Sequence, residues 1–335
     1  MRAMQLDRYT SLLTEDVPLR LLDLPVPEPG PGEILIEVSM CGVCHTELDE
    51  IEGRLPAPTL PVVPGHQVVG RIAGCGDRVT RKSGERVGVG WIHHSCGGAN
   101  ENISNEFVAT GLHVNGGYAE YLTVPQAYAF PIPDRFSDAD AAPLLCAGAI
   151  GFRALELTGL RDGDTLGLTG FGGSAHIVIQ LARHRFPRSR VFVFARDASA
   201  RDFARSLGAE WVGDTTDRAP ELLDAVIDTT PAWTPVVRAL ENLKPGGRLV
   251  INAIRKEDGD KTALLELDYH RHLWMEREIK SVANITGNDI ATFLPLAAAI
   301  PILTEVEIYP LECANEALVA LKREPVRGAK VLRLR

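Results

Sequence analysis

The chain predicts an α/β protein in two parts, an all-β, partly open barrel followed by a doubly wound parallel sheet. Residues 1 to about 149 are rich in Pro, Gly and Val and carry short alternating apolar runs. From about residue 150 the pattern changes to strand–helix alternation with short connections, which means a parallel sheet. At 335 residues the chain is long enough for two domains and too long for one ordinary core.

In the first part, residues 34–38, 68–72 and 118–124 read as strands between turn signals. Leu24 to Gly32, with four Pro and two Gly, is an extended turn region. In the second part Thr165–Thr169 is a strand and Gly173–His184 carries a helical pattern. Residues 191–194 form a strand, 198–207 a helix, and 225–228 and 248–251 two further buried strands.

Composition excludes several classes. Apolar residues make up 45% and charged residues 24%, which is soluble globular usage. A formal charge of −9 argues against a nucleic-acid or anionic-membrane partner. The N-terminus has no apolar core of a signal peptide. The longest apolar stretch, Phe293 to Leu303, is interrupted by Pro295 and Pro301 and is too short to span a bilayer. Six Cys in a chain of this size do not form a disulfide framework, so a cytoplasmic protein with reduced thiols is expected.

Gly170-Phe171-Gly172-Gly173-Ser174 follows a predicted strand and opens a predicted helix. That is the context of a dinucleotide fingerprint: the first Gly turns the chain, and the second lets backbone approach a pyrophosphate at the helix N-terminus. The tip of the next strand sets the cofactor's phosphate. NAD-binding chains place an acid there, on the ribose hydroxyls. Here Ala195 takes that place and Arg196 follows, which suits a 2′-phosphate and predicts NADP in preference to NAD. In the alternative, Arg196 is a solvated loop residue and Asp197 serves NAD.

Cys44, His66 and Cys146 stand in distinctive contexts: Gly42-Val43-Cys44-His45-Thr46, Pro64-Gly65-His66 and Leu144-Leu145-Cys146-Ala147-Gly148. Two thiolates and an imidazole are ligands that zinc prefers, and three ligands with a fourth position open mark a catalytic site. Taken singly, a buried apolar thiol is the ordinary fate of such a Cys, and Cys41-Gly42-Val43-Cys44 reads equally as a redox or structural pair.

With Gly84-Glu85-Arg86-Val87-Gly88, Gly116-Gly117-Tyr118-Ala119-Glu120-Tyr121 and Leu243-Lys244-Pro245-Gly246-Gly247, these segments resemble the zinc-dependent alcohol dehydrogenases of the medium-chain dehydrogenase/reductase superfamily. The resemblance implies a GroES-like catalytic domain over 1–149 and 287–335, and a Rossmann dinucleotide-binding domain over 150–286. It implies zinc on Cys44, His66 and Cys146, with Thr46 as the hydroxyl that takes the substrate proton. His45 falls where relatives contact the pyrophosphate, and Trp91 is expected to wall the substrate pocket with Thr46. His93 or His94 joins it there or packs in the core. The implied substrate is a small alcohol, aldehyde or ketone, and the implied assembly a dimer or tetramer.

The chain departs from the family in five places. Of the four Cys that hold a second, structural zinc in relatives, only Cys96 remains, so one catalytic zinc and no structural zinc is expected. Glu47 replaces an Asp beside the histidine ligand, and Gln67 replaces the Glu after it. Asp49 stands where many members carry a relay histidine. The Arg that often follows Gly328 is absent, with Lys330 nearby as a substitute. A zinc-free quinone or enoyl reductase of the same superfamily, and a catalytically retired cofactor-binding sensor, stay open as alternatives.

Overall fold

The computed structural model describes residues 1–300, 302–324 and 327–335, so Pro301 lies outside the described residues. The chain divides into two compact units. One comprises residues 1–149, 284–299 and 303–335; the other comprises 150–283 with Ile300 and Ile302.

The first unit is built on a seven-stranded sheet. Its centre is the long strand Glu33–Val43, antiparallel to Gln67–Cys75 and also paired with Tyr121–Pro125 and the C-terminal strand Ala329–Arg333. Alternate residues Ile34, Ile36 and Val38 are fully buried, the period-2 pattern that places one face on a core. Tyr118 to Glu120 do not extend the predicted 118–124 strand; the ladder starts at Tyr121, and Ala119 makes only an isolated bridge to Ala3. A short helix, α1 (His45–Ile51), follows the central strand at once and buries six of its seven residues.

The second unit holds a six-stranded, all-parallel sheet. Its order across the sheet is Trp211–Gly213, Arg190–Phe194, Thr165–Thr169, Leu223–Asp228, Leu243–Ile251, Glu278–Ser281. In chain order that is 3-2-1-4-5-6, the doubly wound arrangement, whose switch point lies between Thr165–Thr169 and Leu223–Asp228. All five residues of Thr165–Thr169 are buried, as a central parallel strand covered on both faces requires. Phe192, Phe194, Val226, Leu240 and Leu249 form the core, with Trp211 packed against it.

The helix Gly287–Ala299 runs through Pro295. Pro295 and the residue four before it, Ala291, are exposed, so the carbonyl that loses its helical donor faces water. Phe293, Leu294 and Ala297 on the other face are buried and hold the helix. No single helix among the described residues is long and apolar enough to cross a membrane.

Candidate metal centre and cofactor turn

Antiparallel pairing brings the first two candidate ligands together. Gly42 is the register partner of Gln67. Cys44 lies two residues beyond Gly42, and His66 one residue before Gln67, so both leave the same end of the ladder. Gly65 allows the turn into His66: its φ is +100°, and a Cβ there would stand 2.4 Å from the Tyr118 ring. Cys146 comes from far along the chain, at the junction of a 3₁₀ turn (Ala142–Leu145) and the helix Ala147–Thr158. Leu144 and Leu145 are fully buried and anchor that junction. The outcome is one ligand atom each from Cys44, His66 and Cys146, all within 4.8 Å of one another.

The donor set fits a metal ion. His66 Nδ1 lies 2.6 Å from Glu47 Oε1, and among the described residues the buried Nε2 has no hydrogen-bond partner. With Nδ1 held by a carboxylate, Nε2 is the nitrogen left to bind a cation. Glu47 also ties in the next ligand, because its Oε2 accepts from the Cys44 backbone N–H at 2.7 Å. A hydrogen bond from Cys146, reinforced by His66, holds the Cys44 thiol well below its ordinary range. The same bond, with burial, pushes the Cys146 thiol well up. Burial works against a charged His66, yet Glu47 and Cys44 raise the imidazole well above its ordinary value. Two thiols and an imidazole brought this close are groups whose protons a dication displaces on binding.

Thr46 is buried, with Oγ1 3.6 Å from Cys44 Sγ. His45, the first residue of α1, is exposed. The Trp91 ring is 6.1 Å from the His66 ring and packs on Phe107 at 5.6 Å. His93 lies instead on a cavity of about 570 Å³ lined by Glu33, Pro61, Asn115 and Thr123. Cys41 is buried outside the cluster, and Cys96 is exposed. Asp49 is committed to Arg54, whose Nε donates to it at 2.5 Å. Lys330 is buried and donates to Glu307 at 2.6 Å and to the Tyr309 hydroxyl at 2.9 Å. Both groups that stood as substitutes for missing family residues are thus engaged in ion pairs.

In the second unit Gly170 ends Thr165–Thr169 with φ +77°, and a Cβ there would meet Thr229 Oγ1 at 2.8 Å. Gly172 has open space where a side chain would be, and Ser174 is the N-cap of the helix Ala175–Arg185. Gly173 and Ser174 are partly exposed. Backbone is therefore accessible at a helix N-terminus beside the switch point. At the next strand tip Ala195 is buried and Arg196 exposed. Asp197 is the N-cap of the helix Ala198–Ser206, and both of its carboxylate oxygens accept from Ser199, one from the backbone N–H and one from the hydroxyl. Arg201, from that helix, donates to the carbonyls of Ala195 and Arg196 at 2.6 and 2.8 Å. Sequence periodicity carried no sign of Arg201 at this tip, because on a helix it reads as a solvated charge.

Comparisons with known proteins agree with this architecture. Residues 30–134 match the Alcohol dehydrogenase GroES-like domain family. The chain is 41% identical over 327 residues to the protein named Probable alcohol dehydrogenase AdhA in Mycobacterium tuberculosis, covering 94% of this chain and 92% of that one. It is 30% identical over 335 residues to an alcohol dehydrogenase of Geobacillus stearothermophilus, covering 95% and 96%. Among solved structures, the cobalt- and zinc-bound thermostable alcohol dehydrogenase of Pyrobaculum aerophilum superposes with a TM-score of 0.86 at 25% identity, covering 100% of this chain and 99% of that one. The chain belongs to the zinc-dependent alcohol dehydrogenases of the medium-chain dehydrogenase/reductase superfamily.

Proposed function

We propose that Cys44, His66 and Cys146 hold one zinc ion per chain, and that the enzyme prefers NADP(H) to NAD(H) in the family's hydride transfer between alcohols and aldehydes or ketones. One observation carries the metal assignment: two sulfurs and an unpartnered, buried imidazole nitrogen converge within 4.8 Å while Glu47 occupies the other ring nitrogen. Bound zinc supplies Lewis acidity, which lowers the pKa of an alcohol oxygen placed in its open position.

The chain's own residues do the rest. Glu47 fixes the ring of His66 and the backbone of Cys44 together. Thr46 carries a hydroxyl beside Cys44 Sγ that can accept the substrate proton and donate its own in the same step. Asp49 is neutralised by Arg54, so the proton's onward path favours the exposed His45 at the start of α1. Trp91, its ring tilted against that of His66, walls the alcohol's side. Gly170, Gly172, Gly173 and Ser174 cradle the pyrophosphate. The NADP preference is supported at the strand tip: Ala195 brings no carboxylate, Asp197 is spent as a helix cap, and Arg196 and Arg201 are the cations there. The same reading makes the protein a cytoplasmic dimer or tetramer.

The test is elemental analysis beside an alcohol and aldehyde panel run with both cofactors. About one zinc per chain is expected. Cys44→Ala, His66→Ala and Cys146→Ala each lose zinc and turnover, whereas Cys96→Ala keeps both. Two zincs per chain, or zinc retained in all three of these variants, sinks the assignment.

A further inference from the structure

The segment from Glu47 to Glu52 carries four acids, and three are matched. Glu47 meets His66 and Cys44. Asp49 pairs with Arg54. Glu52 pairs with Arg54 and Lys322 and accepts from the Leu12 N–H. Glu50 is different: it is 2% exposed, and among the described residues neither of its buried carboxylate oxygens has a hydrogen-bond partner. An isolated carboxylate in such a place carries a heavy desolvation penalty, so it stays protonated or needs a cation nearby. Burial drives its pKa well above the usual carboxylate range; Glu47, Cys44 and Asp49 push the same way, and His66 opposes them.

Its place on α1 says where that cation would be. Glu50 is three residues from Glu47 and four from Thr46, one helical turn along the same face. That face also carries the side chains that brace the Cys44–His66–Cys146 cluster, and Glu50 interacts electrostatically with Glu47, His66 and Cys44. At Gln67, directly after the histidine ligand, this chain has a neutral amide instead of a carboxylate.

We propose that Glu50 is a charge-balancing and positioning residue of the metal centre: its buried carboxyl supplies, from one turn along α1, the negative charge that Gln67 does not, and strengthens the hold of the three-ligand set on zinc. The inference rests on the zinc assignment to Cys44, His66 and Cys146. It makes Glu50 a partner of the bound cation through the field, without a ligand bond. In the metal-free protein the carboxyl is neutral and holds a proton; loading zinc releases that proton to solvent in addition to those displaced from the ligands.

The experiment measures zinc affinity by chelator competition and counts protons released on zinc addition, using metal-free wild type, Glu50→Gln and Glu50→Asp. Glu50→Gln is expected to bind zinc about 10–100-fold more weakly and to release fewer protons, with metal-free stability unchanged or higher. Glu50→Asp recovers part of the affinity, which a packing role alone would not produce. Infrared difference spectra of the wild type provide a reading that needs no variant: a protonated-carboxyl band present without metal disappears on loading. Equal affinity and equal proton release in Glu50→Gln, or no such band in the metal-free wild type, overturns the inference. Failure of the wild type itself to bind zinc would instead overturn the metal assignment.

Discussion

Glu47→Gln isolates what one carboxylate does for two ligands. The side chain is fully buried, with Oε1 2.6 Å from His66 Nδ1 and Oε2 accepting from the Cys44 N–H at 2.7 Å. Glutamine keeps the volume but has one acceptor and one donor. If its oxygen faces Cys44, its NH₂ faces His66 Nδ1, and the ring answers by moving its proton to Nε2, the nitrogen zinc needs. If the amide turns round, the Cys44 N–H is left unmatched at the start of α1. The first arrangement keeps both contacts but puts a proton on the nitrogen zinc needs, and the second leaves a buried donor unmatched, a cost of about 1–3 kcal/mol, which converts to about 5–150-fold in an equilibrium constant. That range agrees with the ~10–100-fold lost when partners of metal ligands are removed. Chelator competition with a metallochromic indicator reads the zinc affinity, and circular dichroism of the metal-free variant checks the fold. Turnover at saturating zinc should recover more than turnover at limiting zinc. A folded Glu47→Gln protein with wild-type zinc affinity would refute the bracing role.

Other outcomes follow from the same geometry. Thr46→Val should lower turnover by ~10²–10⁴ at neutral pH, the range for lost acid–base assistance, with zinc content and cofactor affinity retained; full activity would end the relay assignment. Asp49→Asn should leave the pH profile of alcohol oxidation nearly unchanged, because Asp49 is bound to Arg54, whereas His45→Ala should shift it; the reverse pattern would restore Asp49 to the proton route. Ala195→Asp should turn the preference from NADPH toward NADH, and Arg196→Ala should raise KM for NADPH more than for NADH; unchanged NADPH affinity in Arg196→Ala contradicts the strand-tip reading. Burial, with a smaller push from His94 and against a pull from Glu33, lowers His93 from 6.5 to about 4. Between those values the unfolded chain binds the extra proton, so stability is complete above pH 6.5 and falls toward pH 4 by on the order of 3 kcal/mol. Urea unfolding across that window should show a flatter pH dependence in His93→Gln; an identical slope assigns the loss to other groups.

Local pattern made much of the second unit readable. Thr165–Thr169, Arg190–Phe194 and Ala198–Ser206 stand where apolar runs and helix periodicity put them, since a buried strand or an amphipathic helix writes its environment into adjacent residues. The edge strand Glu278–Ser281 left no such trace, because all four of its residues are exposed and only backbone pairing defines it. α1 was also silent: its N-cap is Cys44, which is not among the residues that signal a helix start.

The sequence by itself determined which side chains are available for zinc, the Gly-rich turn for a dinucleotide, and the uncharged strand tip at Ala195. These are properties of residue type and immediate neighbours. Only the tertiary structure decided that Cys146 meets residues far before it, that Glu47 reaches two ligands at once, and that Asp49 and Lys330 are already engaged by Arg54 and by Glu307 with Tyr309. It also decided that Glu50, one acid among four in a short segment, is the one with no hydrogen-bond partner among the described residues. The physical reason is the same in each case. A charge's partner and its burial are set by chain segments distant in sequence, and neither hydrophobic periodicity nor motif spacing records where those segments come to rest.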